Sequence, residues 1–198
     1  MDRKRIKEIN EITGLARTIL SNKEDYVILD TETTGLGNND VIIQLAVIDL
    51  NGNALMDTLI RPTKRKRMSS DASAIHGITM KMLQDSPSLR DVFPQFKNIV
   101  RNKTLLVYNA PYDARLFAQT ANQDGFSFGD MKATCMMRAY SIFIGEWNPH
   151  YNDYKFQRLK SGDHSAIGDC RATLKVIKEM ADCQPIPVPK EWWEFWKN

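Results

Sequence analysis

The stretch Ile28 to Leu36, ILDTETTGL, sets Asp30 and Glu32 two positions apart directly after the apolar run Tyr26-Val-Ile-Leu29. Alternate residues of a strand point to opposite faces, so the two carboxylates share one face. Ionised side by side, they repel each other and resist leaving water, so something cationic is expected between them. Two further acids stand on apolar stripes. Asp113 has Leu116 and Phe117 at i+3 and i+4, and Asp169 is followed on its stripe by Ala172, Thr173, Val176 and Met180. Taken singly, either acid reads as well as a helix N-terminal carboxylate favoured by the macrodipole, or as half of a buried ion pair. All four together, with the strand pair, point to metal ligation. An all-oxygen set favours Mg²⁺ or Mn²⁺ over Zn²⁺, and no thiol or histidine cluster argues otherwise. Two such ions about 4 Å apart suit in-line attack on a phosphodiester.

That chemistry also needs a base. The histidines are His76, His150 and His164. His164 lies five positions before Asp169, just ahead of the last helix, at the mouth of a site whose floor Asp169 helps form. A near-neutral pKa suits removal of a proton from an attacking water. A lone histidine also serves as a surface or capping residue, and spacing alone leaves that open.

The elements that must position these residues can be read from periodicity. Ile6, Ile9, Leu15, Ile19 and Leu20 suggest an amphipathic N-terminal helix that Gly14 interrupts. Strand signals follow at 26–30, 41–50 and 54–60, the last two joined by the hairpin signal Asn51-Gly52-Asn53. Residues 63–79 read as a polar loop with a short helical turn, 88–101 as a helix and 104–108 as another buried strand. A helix starts near Pro111, where proline is tolerated. Helices are expected near 134–144 and over 165–182, with an aperiodic polar and aromatic stretch at 145–163. Pro185, Pro187 and Pro189 then cannot continue the helix and act as a stop or linker. Strands first, followed by alternating helix and strand, make this an α/β sheet covered by helices. The division expected is a helical extension over 1–22, one catalytic domain over 23–183 and a Pro/Trp-rich tail over 184–198.

With 198 residues, 42% of them apolar, the chain suffices for one domain with a real core. No run approaches the ~20 apolar residues of a membrane span, and the charged start MDRKRIKEIN lacks the apolar stretch of a secretory signal. Cys135, Cys170 and Cys183 make no CxxC pair and read as free thiols in a reducing cytoplasm. The net charge of +3 permits a nucleic-acid partner without demanding one.

On these motifs the chain resembles the DEDD-type 3′–5′ exonucleases of the histidine subclass, a family that includes the epsilon subunit of bacterial DNA polymerase III and exonuclease X-like enzymes. LDTETTGL (29–36), NAPYDARL (109–116) and HSAIGDCRAT (164–173) resemble its three exonuclease motifs, in order, within a match spanning roughly residues 25–182. The resemblance implies a ribonuclease H-like fold, a five-stranded mixed sheet with the second strand antiparallel and helices on both faces. It implies two metal ions on Asp30, Glu32, Asp113 and Asp169, with His164 as the base. It also implies substrate contacts at Thr33, Gly35, Leu36, His76 and Asn109, with Leu36 wedged against the terminal base. The substrate implied is a single-stranded or frayed 3′ end of DNA, cut to nucleoside 5′-monophosphates. Trimming of RNA ends, or a polymerase-accessory binding module with secondary or silent nuclease activity, are the competing readings.

Three features depart from the family pattern or lie outside it. Tyr108 stands where many relatives carry histidine. Lys64, Arg65, Lys66 and Arg67 make the loop before His76 unusually basic, as a solvated loop or as a phosphate contact. Trp192, Trp193, Phe195 and Trp196 crowd the end of the chain; such a patch is expected to fold back on the core or to dock on a protein partner, a polymerase among them. Tyr154, Phe156 and Arg158 read equally as packing or strand-contacting residues.

Overall fold

The computed structural model describes residues 1–127, 129 and 131–189. The tryptophan-rich segment, and with it the expectation that the tail folds back or docks, lies outside the described residues.

Three strands come first after the N-terminal helix α1 (Arg3–Ser21): β1 (Tyr26–Thr33), β2 (Ile42–Ile48) and β3 (Ala54–Leu59). Helices α2 (Ser70–His76) and α3 (Leu89–Val100) lead to β4 (Thr104–Val107). Then follow α4 (Ala110–Gln123), β5 (Ala133–Cys135), α5 (Met136–Ile144), a small hairpin of the two-residue strands β6 (Trp147–Asn148) and β7 (Asp153–Tyr154), and α6 (Ala166–Asp182). The five main strands lie in the order β3-β2-β1-β4-β5. β2 runs antiparallel to both neighbours, whereas β1, β4 and β5 run parallel. This is the mixed sheet expected, with β1 at its centre.

Two apolar layers clamp the sheet. On one face Ile28, Ala46, Ile48 and Leu106 pack with Tyr140 of α5 and Cys170, Leu174 and Ile177 of α6. On the other, Val27, Leu29, Leu45 and Val107 pack with Phe96 of α3 and Leu116 and Phe117 of α4. Phe96 stacks on Phe117 at 5.4 Å. Period-two alternation in β1 feeds both layers at once.

Helix α1 belongs to the first layer. Ile6, Ile9, Thr13, Ala16 and Ile19, spaced three and four apart, are buried. Arg17 donates to the carbonyls of Ala181 and Cys183, and Asn10 exchanges two hydrogen bonds with Ile186. Gly14 does not interrupt the helix: it sits on the exposed side with nothing near its Cβ position, so it lowers helix propensity without touching the packed stripe. The helix expected near 134–144 is preceded by an unforeseen edge strand, since Ala133–Cys135 pair with β4. Three residues are too few to show alternation. Among the described residues no helix is long and apolar enough to cross a membrane.

Ile19 is 1% exposed and packs in the same cluster as α5 and α6. Ile19→Ala should therefore lower the unfolding free energy by about 2–5 kcal/mol in chemical denaturation. A loss under about 0.5 kcal/mol, as at a surface position, would mean that α1 does not share the cooperative core.

Candidate active site

Alternation along β1 sends its residues to different helices. Asp30 and Glu32 share the face of Ile28, which packs against α6; Thr31 shares the face of Leu29, which packs against α4. Asp169 stands in the first turn of α6, on the same side as the strand pair. One oxygen from each of Asp30, Glu32 and Asp169 lies within 4.8 Å of the others. Asp113, in the first turn of α4, is 5% exposed, and its Oδ1 accepts from the Thr31 hydroxyl at 2.7 Å. It thus reaches the site from the opposite side of the strand and stands beside the trio rather than within it. All four line a cleft of about 180 Å³, with Asn109 and His164 at its edge. A larger hollow of about 900 Å³ lies at the other end of the strands, lined by residues such as Tyr26 and Thr104. Its described lining carries a single acid, Asp25.

Burial and mutual repulsion govern the electrostatics. Asp30 is held well above the usual carboxylate range by burial first, then by the charges of Asp113, Asp169 and Glu32. Glu32 is pushed up to about 8 by burial and by Asp169 and Asp113. Burial raises Asp113 to about 7, against the pull of the Thr31 hydroxyl. It raises Asp169 too, opposed by the amides and imidazole of the 163–164 turn. Among the described residues no lysine or arginine pairs with any of the four. Asp169 Oδ1 is buried without a hydrogen-bond partner. An orphaned carboxylate oxygen beside two more carboxylates, all of them hard donors, fits a divalent cation.

The turn before α6 is built to deliver Asp169. The Ser165 hydroxyl accepts from the Gly168 amide and donates to Asp163 Oδ1, and the Ala166 amide donates to Gln44 of β2. A Cβ on Gly162 would collide with Asp169 Oδ1; only glycine allows that approach. His164 is exposed and has φ +60°, an uncommon backbone conformation for a side-chain-bearing residue.

The remaining candidates gather on the 33–36 turn. Thr33 Oγ1 lies 2.8 Å from the Tyr112 hydroxyl, and the Gly35 carbonyl accepts from both hydroxyls. His76 reaches the same turn. The Ile78 amide donates to its Nδ1, so Nε2 carries the proton and donates to the Thr33 carbonyl at 3.2 Å. Burial lowers its pKa, in keeping with a neutral ring. Leu36 projects at 79% exposure. Its loop is pinned by Arg115, which donates to the carbonyls of Leu36 and Gly37, and by Gln119, which donates to that of Asp40. A Cβ on Gly35 would lie 2.9 Å from Asp40 Oδ2, and that carboxylate also accepts from the Thr34 hydroxyl and the Gly37 amide.

Sequence reasoning missed Thr31, Tyr112, Asp40 and Arg115, which hold the functional candidates in place. One signal was available. Thr31 alternates with Asp30 and Glu32, so it had to face the other helix layer, the one that carries Asp113. Lys64, Arg65 and Arg67 are exposed, and half-buried Lys66 donates to the Asn39 carbonyl beside the Leu36 loop.

The RNase_T exonuclease family profile matches residues 27–177. An uncharacterized exonuclease, CP81, of Escherichia phage 186 is 34% identical over 176 residues, covering 80% of this chain and 89% of the phage protein. The DNA polymerase III epsilon subunit of Buchnera aphidicola is also 34% identical, over 110 residues. That match covers 50% of this chain and 46% of the subunit, so the chain spans less than half of that relative. A solved structure of exonuclease X in complex with 5′ overhanging duplex DNA superposes with a TM-score of 0.54 at 26% identity, covering 81% of this chain and 95% of that one.

The raised carboxyl pKa values make metal-free stability pH-dependent. Folded Glu32 at about 8 and Asp113 at about 7 hold protons that the unfolded chain, at 4.5 and 3.8, has released. The native state therefore binds more protons, and stability falls as pH rises from the unfolded values through the folded ones. The melting temperature of chelator-treated protein should drop from about pH 5.5 to about pH 9, and an added divalent cation should raise it more at the alkaline end. A melting temperature that rises with pH in chelator would contradict this electrostatic description.

Proposed function

The chain belongs to the RNase_T exonuclease family, and from that membership we propose that it is a metal-dependent 3′–5′ exonuclease acting on single-stranded or frayed DNA ends. It releases nucleoside 5′-monophosphates. The observation that carries the reading is the meeting of Asp30, Glu32 and Asp169 within 4.8 Å, uncompensated by any described cation, in the cleft that Asp113 and His164 also line.

The roles follow from chemistry and reach. Asp30, Glu32 and Asp169 would hold one Mg²⁺ or Mn²⁺ ion. Thr31 occupies Oδ1 of Asp113, which leaves Oδ2 to help hold a second. Ions bound there supply charge neutralisation for the attacking and leaving oxygens of an in-line displacement at phosphorus. His164, as neutral imidazole, takes the proton from the attacking water, and its exposure gives that proton a route to solvent. The turn of Thr33, Gly35 and Leu36, braced by His76 from behind, receives the terminal nucleotide. Leu36 offers the terminal base an apolar face, and Asn109 lies beside the scissile end. With Leu36 wedged against the terminal base, the last nucleotide has to leave its partner to reach the cleft. Fraying must therefore precede entry of a duplex, at a cost of about a few kcal/mol.

An end-labelled oligonucleotide with Mg²⁺ or Mn²⁺ should give a single-nucleotide ladder that chelator abolishes, faster on single strands than on blunt duplex. Matched DNA and RNA strands in the same assay decide the sugar preference. A faster ladder on RNA would move the assignment to an exoribonuclease, and binding without any ladder would leave an accessory module. Asp30→Ala and Asp169→Ala should lose several orders of magnitude in turnover, and His164→Ala roughly 10²–10⁴-fold. Near-wild-type turnover in either aspartate variant would refute the site.

A further inference from the structure

The run from Lys155 to His164, which brings the base to the cleft, contains neither helix nor strand. A side chain on such a run is only as well placed as the points at which the run is tied down. Two ties are hydrogen bonds made with tyrosine hydroxyls. The Tyr108 hydroxyl donates to the Gln157 carbonyl at 2.9 Å. Tyr108 is 7% exposed and lines the cleft at the end of β4; its own carbonyl accepts from the Met137 amide of α5. Its phenol is thus a fixed post between the sheet, α5 and the irregular run. The second tie is Tyr140, fully buried on α5. Its hydroxyl donates to Glu179 of α6 and accepts from Lys160 Nζ at 3.1 Å. Leu159, between the two ties, packs on the core. Lys160 precedes His164 by four residues, so both ties act just upstream of the base.

We propose that Tyr108 and Tyr140 are positioning residues for His164: they hold the irregular run against α5 and α6 so that the imidazole stays at the cleft. A histidine at position 108 would end short of the Gln157 carbonyl, so the longer phenol makes this tie. The inference rests on His164 being the general base, and the two can fail separately.

The test is a double-mutant cycle on the full chain, with single-stranded DNA and Mg²⁺. Tyr108→Phe keeps the ring and removes one hydroxyl. Lys160→Met keeps an apolar stem at an exposed position and removes the second tie. Each should lower kcat roughly 3- to 10-fold, the scale of one lost hydrogen bond, while KM and the half-saturating Mg²⁺ concentration stay unchanged. In a His164→Ala background the same substitutions should have no further effect, because there is no imidazole left to position. Unchanged kcat in both single variants, or equal losses in both backgrounds, would overturn the inference and leave the base assignment standing. Wild-type turnover by His164→Ala itself would instead overturn the base assignment. If Tyr108→Phe does not fold, Lys160→Met decides.

Discussion

Four carboxylates brought to one cleft, with no described cation beside them, are the constraint on which the rest of the structure depends. The pKa values of all four are raised first by burial, and those of Asp30 and Glu32 also by the charges of their neighbours in the cluster. Such a cluster survives folding only because the surrounding scaffold forces it, and the protons it retains are the price of that geometry without a metal. The scaffold does so by placing β1 at the centre of the sheet. Its neighbours on either side and a helix layer on each face leave the strand no freedom to move its acids apart.

The same constraint accounts for the way the acids arrive. Two come from one strand, and the others come from the first turns of α4 and α6, where the positive end of the helix dipole partly offsets a carboxylate. Because α4 and α6 cover opposite faces of the sheet, Asp113 and Asp169 approach β1 from opposite sides. Thr31 is the hinge of that arrangement. It sits between the strand acids and turns its hydroxyl toward α4, where it fixes one oxygen of Asp113. The 33–36 turn is braced from behind by a second set of polar contacts, through His76, Tyr112 and Asp40. The brace therefore converges on the few residues at and just after the end of β1, the strand that carries Asp30 and Glu32.

The scaffold was readable wherever periodicity was long enough. β1, β2, α3, α4 and α6 follow their apolar patterns, and the turn at Asn51-Gly52-Asn53 is closed by Asp49, which accepts from the amides of Asn51 and Asn53. Gly14 misled because propensity is a local quantity, whereas α1 is held by its buried stripe against α5 and α6. β5 was invisible because its identity lies in pairing with β4, and three residues carry no period of their own. Tyr108 stood out in the sequence only as a departure from a motif, because the reach of its hydroxyl to the irregular run ahead of α6 is a long-range contact.

By itself the sequence determined which side chains can do chemistry. The two-residue spacing of Asp30 and Glu32 put them on one face, and the acids on apolar stripes announced that a charge would be buried. These are consequences of strand and helix geometry, which is local. Only the tertiary structure decided that Asp30, Glu32 and Asp169 meet within 4.8 Å while Asp113 is engaged by Thr31. It alone decided that His76 braces the 33–36 turn and that two tyrosines tie down the run before His164. Those facts depend on which face of the sheet each helix covers and on contacts between residues far apart in the chain, and no local pattern encodes them.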